Sequence, residues 1–480
     1  MSSAEFSAET ASSLFTSEDA MRCRESVIAE MQVIAPPGLE ELDPITTERL
    51  RLLTQELVIV DGERAGEEYD RYNGTGERGL DLCERQLGEW LRDKTILVTG
   101  GTGLIGSALL GELSQYGPAR LASVSRGEME PVRLTDAEYY RADIRDDAAL
   151  RAVMDEVKPD IVFHVAADKY NHEAERRIRH TLTTNIIGTQ NVVAAANEAG
   201  VEQLIYASTG KATRPFSPDI YASSKKTGEW LLSDAARTTE MNCSAVRFTH
   251  VVDHSNVRYQ IHQAMAEGRP INIQSPDVMM YVQSARESAQ LLMNSGLEAH
   301  LRGDGNMLQV QAIRELGMPI NLPDLAIGAL ARHGGDSPMY FTGVRPGYED
   351  KAWFALYDPL TGGEVSPLIN SLEASDAEPS LTCEAVDTFP LEVATTPGLR
   401  QCITELQTAC AMGGESSGLR SLNQQLGWAM LGGRLAALDL PVLARAAQRI
   451  ERQRQRGVAM SEEHERLNDI VLESFRLAKS

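Results

Sequence analysis

The stretch that most constrains this chain is residues 94–106, Lys-Thr-Ile-Leu-Val-Thr-Gly-Gly-Thr-Gly-Leu-Ile-Gly. Thr95 to Thr99 is a short apolar, partly β-branched run, the pattern of a buried parallel strand. Gly100, Gly103 and Gly106 follow at once, and Ser107 to Gln115 reads as a helix. That order turns the chain tightly and brings backbone N–H groups to a helix N-terminus, where a pyrophosphate can be held. Glycine is needed because any Cβ would keep the phosphates away. A dinucleotide site is the expectation.

From Lys94 onward the pattern alternates strand and helix, which predicts an α/β fold with a Rossmann-type, doubly wound parallel sheet. The expected strands are Thr95–Thr99, Leu121–Ser125, Tyr139–Ala142, Ile161–Val165, Gln203–Ala207 and Ser244–Phe248. A helix from Leu182 carries Leu182, Ile186, Val193 and Ala196 near one face and stops at Gly200. In such a sheet ligands sit beyond the carboxyl ends of the strands, at Thr99, Ser125, Asp143, Ala166 and Ser208. After Phe248 the alternation loosens, which suits a smaller substrate lobe over about 249–372. Together, 93–372 form the expected catalytic domain.

The flanks differ. Residues 1–40, rich in Ser, Ala, Thr and Glu, read as a flexible acidic tail. Residues 41–92 read as a helical extension of two short helices, one with Leu50, Leu53 and Leu57 on a face and one with Leu80, Cys83, Leu87 and Leu91. Between them Tyr72-Asn73-Gly74-Thr75-Gly76 is turn chemistry; both helices are expected to pack on the nucleotide domain. Residues 373–390 resemble a linker ending in a strand-like piece. Helices follow at about 397–412, 418–437, 440–456 and 461–477, the last with a Leu467, Ile470, Val471, Phe475 stripe.

Composition narrows the partners. A net charge of −23 argues against nucleic acid or an anionic membrane surface, since such binding rests on Lys and Arg. No apolar run is long enough for a transmembrane span, and the start lacks a secretory pattern. The six cysteines contain no C-x-x-C pair and read as reduced thiols of a cytoplasmic protein, with no metal site.

Tyr221-Ala-Ser-Ser-Lys225 is the second signal. Residues four apart share a helix face, so Lys225 can lie near the Tyr221 ring, and a cation there favours the phenolate. Tyr221 is thus a candidate base, with Lys225 its partner. At the end of the second strand stand Ser125 and Arg126 rather than a carboxylate. Arg126 suits the 2′-phosphate of NADP; NAD remains possible.

The chain resembles the extended short-chain dehydrogenase/reductases, and more narrowly the CapD-like polysaccharide-biosynthesis branch of nucleotide-sugar 4,6-dehydratases and epimerases. The resemblance spans roughly Lys94 to Leu372. It rests on Thr99–Gly106, Ala142–Asp146, Phe163–Lys169, Asn185–Asn191, Ala207–Ala212, Tyr221–Lys225, Val246–Phe248 and Thr342–Gly347.

The resemblance implies a set of roles. Gly100, Thr102, Gly103, Leu104, Ile105, Gly106, Ser125, Arg126, Asp143, Ile144, Ala166, Ala167, Lys169, Asn185, Tyr221 and Lys225 would hold the cofactor, with Asp143-Ile144 beside the adenine. Thr209 would bind the sugar 4-hydroxyl while Tyr221 removes its proton, giving a 4-keto sugar. Lys211 would take the C5 proton. Lys169, Ser208, Arg247, His250 and Arg345 would contact the UDP- or dTDP-linked substrate, Arg345 at the diphosphate. The chain departs from the family at Gly210, where an Asp usually gives the departing hydroxyl its proton. It departs again at Thr249-His250 (usually Gly-Asn), at Met280 (usually Arg) and at Tyr348 (usually Glu).

The expected function is an NADP-dependent nucleotide-sugar dehydratase or epimerase, in a homo-oligomer. Two alternatives stand beside it: a 4-epimerase or ketoreductase without dehydration, and a catalytically weak NADP-binding assembly protein.

Overall fold

The computed structural model describes residues 22–39, 41–127, 136–253, 255–303, 305–344, 365–457 and 462–479. It comprises two compact units. The larger contains the described residues of Gly74–His254, Met279–Pro319 and Arg345–Ser480; the smaller contains those up to Asn73 together with Ser255–Val278 and Ile320–Val344.

The larger unit is built on a sheet of nine strands. In chain order these are β1 (Thr95–Thr99), β2 (Arg120–Ser125), β3 (Glu138–Arg141), β4 (Ile161–His164), β5 (Gln203–Thr209), β6 (Asn242–Phe248), β7 (Leu308–Ile313), β8 (Glu378–Pro379) and β9 (Val386–Leu391). Their spatial order is β8-β9-β7-β6-β5-β4-β1-β2-β3. Strands β1 to β7 pair in parallel, and β9 runs antiparallel to both β7 and β8. The central strands are covered on both faces, which is why Leu97, Val98, Val162, Phe163, Leu204 and Val246 form almost continuous apolar runs. Strand order reverses between β1 and β4, and there the carboxyl ends leave a crevice.

All six expected strands are present, Thr95–Thr99 with the expected bounds and the other five with one or both ends shifted by one or two residues. Alternation does not end at Phe248: Ala285–Arg302, with a full Ser284/Glu287 capping box, leads into β7. Residues 373–390, read as a linker, instead supply β8 and most of β9. Their polar composition misled, because β8 is an exposed edge strand. The four C-terminal helices form at Pro397–Ala411, Ser416–Ala436, Leu440–Gln455 and Glu462–Lys479. Leu467 and Val471 join a core with Leu431, Leu443 and Phe216.

The smaller unit corrects the reading of the N-terminal flank. Arg24–Ile34, assigned to a tail, is a helix with Val27 and Met31 buried. Its Arg24 hydrogen-bonds Asn321 at 2.8 Å and pairs with Asp61 and Asp324. The two expected short helices are instead one 31-residue helix, Pro44–Gly74, that runs through the anticipated turn, and a separate helix, Glu84–Leu91, in the larger unit. The long helix packs on Leu322–His333: a Cβ on Gly328 would lie 2.2 Å from the Ala65 carbonyl oxygen. A parallel pair, Ile271–Ile273 with Met339–Phe341, completes this unit. Among the described residues, no helix is long and apolar enough to cross a membrane.

Candidate active site

The glycine loop is a cradle shaped by backbone contact. Gly100 has φ +74°, and a Cβ there would sit 2.8 Å from the Ala166 backbone, so β1 and β4 approach as only glycine permits. A Cβ on Gly106 would strike the Gly100 oxygen at 2.2 Å. Gly103 caps helix Leu104–Ser114 without a side-chain hydrogen bond, leaving its first-turn N–H groups for an anion. Thr102, Leu104, Ile105 and Gly106 are thereby gathered at one helix start. Thr99 fixes the facing loop: its hydroxyl oxygen accepts from Val165 N and Ala166 N, both at 3.2 Å.

Behind this loop, His164 is fully buried between Thr99 Oγ1 (2.8 Å from Nδ1) and Thr189 Oγ1 (3.0 Å from Nε2). Thr189 donates its own proton to the Asn185 carbonyl, so the network assigns the imidazole proton to Nε2. Burial, with Lys225 nearby, pushes the His164 pKa down to about 3.

Tyr221 and Lys225 lie on helix Ile220–Thr238, whose N-cap Asp219 accepts from Ala222 N. Thr209, at the end of β5, acts on the Tyr221 phenol to lower its pKa. Lys225 Nζ sits 4.0 Å above the Tyr206 ring and is buried. The expected lowering of the phenol is not found: burial holds Tyr221 up at about 12 against the opposing effect of Thr209. The same burial drives Lys225 down to about 7, opposed by Glu229. Both charged forms lose water, and desolvation exceeds the help each gets.

Asn185 lies in a π-helical turn, Thr183–Ile187, a feature frequent at functional sites. Its amide donates to Asp168 O and Ser224 Oγ, each at 3.0 Å, and its oxygen accepts from Asp168 N at 2.8 Å. It clamps the loop after β4 to the Tyr221 helix. Ala167 and Lys169 lie on that loop, Lys169 exposed. Ser125 and exposed Arg126 end β2, and the Asp143 carboxylate is taken up by Arg145 (2.6 Å), which lowers its pKa. Ile144 is buried, its side chain directed at Gly188. His250 is half-buried, and burial lowers it to about 4. Arg345 lies outside the described residues, as does Tyr348.

Two expected substrate contacts belong to the interior instead. Arg247 is wholly buried between Glu229 (2.9 Å) and Glu373 (2.8 Å), so its guanidinium has no face for a substrate. Ser208 donates to Glu229 Oε1 at 2.6 Å. Lys211 Nζ is 3.0 Å from Asp219 Oδ2, an ion pair that must open before the amine can act as a base. A Cβ on Gly210 would point at Leu368 Cδ2 (2.8 Å) and the Phe248 oxygen (3.1 Å). Sequence reasoning missed Glu229, although Tyr221, Lys225 and Glu229 recur every four residues on one helix face. It also missed Asn423, whose amide donates to Ser223 Oγ at 2.6 Å and ties a C-terminal helix to the Tyr221 helix. No local signal marks that contact.

A family profile described as polysaccharide biosynthesis protein matches residues 96–353. The capsular polysaccharide biosynthesis protein CapD of Staphylococcus aureus is 27% identical over 61% of this chain and 49% of its own length. A UDP-N-acetylglucosamine 4,6-dehydratase (inverting) of Campylobacter jejuni is 32% identical over 33% of this chain and 49% of its own. The chain thus spans about half the length of these curated relatives. Among solved structures, Pen from Bacillus thuringiensis superposes with a TM-score of 0.52 at 24% identity, covering 64% of this chain and 89% of that one. That likeness bears out the Rossmann-type fold.

Proposed function

The chain belongs to the polysaccharide biosynthesis protein family, and from its site we propose that it oxidises a nucleotide-linked sugar at C4 with a bound nicotinamide cofactor. The observation that carries this reading is Thr209 acting on the Tyr221 phenol, with Lys225 buried on the same helix and Asn185 tying that helix to the loop after β4. The cradle fits a dinucleotide because its close approaches leave no room for a Cβ at Gly100 or Gly106. The nicotinamide, when bound, supplies a hydride acceptor. Thr209 orients the sugar hydroxyl, Tyr221 receives its proton, and Lys225 provides the cation that stabilises the phenolate. Arg126 favours NADP over NAD at the end of β2. The relatives' names support a UDP-linked sugar as the substrate class, a dTDP-linked one being the alternative.

Of the two outcomes for a 4-keto sugar, the site supports epimerisation or simple ketone reduction better than loss of water. Gly210 carries no acid and its Cβ direction leads into the core, while Lys211 is paired with Asp219. The test is incubation with UDP- and dTDP-sugars. An unchanged mass with a new NMR coupling pattern is expected, and Tyr221→Phe should reduce turnover by about 10²–10⁴-fold with cofactor binding nearly intact. Loss of water from the substrate overturns the epimerase reading; unchanged turnover in Tyr221→Phe overturns the whole mechanism.

A further inference from the structure

In the smaller unit, helices Pro44–Gly74, Asn256–Ala266 and Leu322–His333 line an open concavity of about 400 Å³ with Tyr69, Asp70, Asn73, Arg258, His262, Arg332 and His333. The buried Tyr69 hydroxyl lies 2.7 Å from His262 Nε2 and 3.2 Å from His333 Nε2. A phenol has one proton, so it donates to one imidazole and accepts from the other; the two histidines are locked into complementary tautomers. Arg332 is offset by exposed Asp70 at 2.7 Å, with Glu63 and Glu67 also acting on it. Arg258 is not offset. Its hydrogen-bond partner is the Asn73 amide oxygen at 3.2 Å, and among the described residues no carboxylate pairs with it. In a chain of net charge −23, an uncompensated guanidinium and two imidazoles turned to one hollow need an explanation.

We propose that this concavity binds the phosphoryl group of a small phosphate-bearing metabolite. The guanidinium fork of Arg258 matches two oxygens of a tetrahedral dianion; one imidazole offers its Nδ1–H as a further donor, and the other does so once protonated. A cation is disfavoured by the adjacent arginines. The site is separate from the one described above, since its residues all lie in the smaller unit. Tyr69 and Asn73 lie outside the matched family region, whereas Arg258, His262, Arg332 and His333 lie within it. Burial, His333 and Arg258 all lower the His262 pKa. A bound dianion opposes those effects, so binding strengthens as pH falls.

The experiment follows labelled histidine resonances of the full chain while sulfate, whose charge is fixed between about pH 8 and 5.5, and then inorganic phosphate are added. Saturable shifts of both His262 and His333 are expected, with sulfate affinity rising about tenfold toward the acid end. Arg258→Gln should weaken binding about tenfold, and Arg332→Gln, at an exposed position, by about threefold. Absence of a saturable shift overturns the proposal. So does equal binding by both variants, which marks an adventitious ion only, or a response to zinc that Arg258→Gln strengthens, which marks a cation site.

Discussion

Arg247 and Arg258 lie in different units and answer opposite physical demands. Arg247, on β6, has no exposure, and its charge is met on both sides by Glu229 and Glu373. Arg258 is half-buried at an open concavity and is met by an amide. Where water is excluded, a guanidinium persists only if carboxylates replace its hydration. Where water remains, the charge can be left for a ligand. The same residue type is therefore scaffold in the sheet unit and recognition group in the smaller one.

The largest effect should come from breaking the sealed network. Arg247→Met leaves two buried carboxylates facing each other and should lower unfolding free energy by about 3–5 kcal/mol. Arg258→Gln should change it by less than about 1 kcal/mol. Urea unfolding of both variants checks the contrast, and equal losses break it. Adding Glu229→Met and Glu373→Met to Arg247→Met should restore most of the stability, because the cost lies in the unpaired charges.

Acid should act on the sheet unit through His164. Its folded pKa is about 3, below the ordinary value of 6.5. The unfolded chain therefore takes up the proton first. Stability is fully present above about pH 6.5 and falls by about 1.4 kcal/mol per pH unit below it, until the folded pKa is reached. His164→Asn should flatten that part of the acid profile, measured by unfolding at fixed pH values, whereas His262→Gln should leave it nearly unchanged. An identical profile in wild type and His164→Asn would remove His164 from the account.

A smaller loss is expected at Gly210. Gly210→Asp must push its Cβ against Leu368 and the Phe248 carbonyl and should cost about 1–3 kcal/mol. It should not create a water-eliminating activity, because the carboxylate enters the core. Mass spectrometry of the products decides; a gain of dehydration would show that the pocket opens at this position. Smallest, Arg126→Ala should narrow the preference for NADP over NAD by about tenfold, or about 1.4 kcal/mol, in cofactor titrations. A wild-type protein that binds both equally makes Arg126 an ordinary surface residue.

What the sequence determined by itself was local and periodic. The strands from Thr95 to Phe248 announced themselves because a sheet buried on both faces needs unbroken apolar runs. Glycine spacing reported the turn after β1 because backbone contact there excludes a Cβ. Four-residue spacing placed Tyr221 and Lys225 on one face, and the structure keeps them on one helix. What that spacing could not report was what covers the face. Only the tertiary structure brought Glu373 to Arg247 across 126 positions, Asn423 to Ser223 across 200, and His333 to Tyr69 across 264. It also reversed the sign of the shift expected at Tyr221, turned a presumed linker into β8 and β9, and aimed Gly210 inward. The reason is the same each time: periodicity records which side of an element avoids water, whereas pKa, pairing and access depend on which distant segment replaces that water.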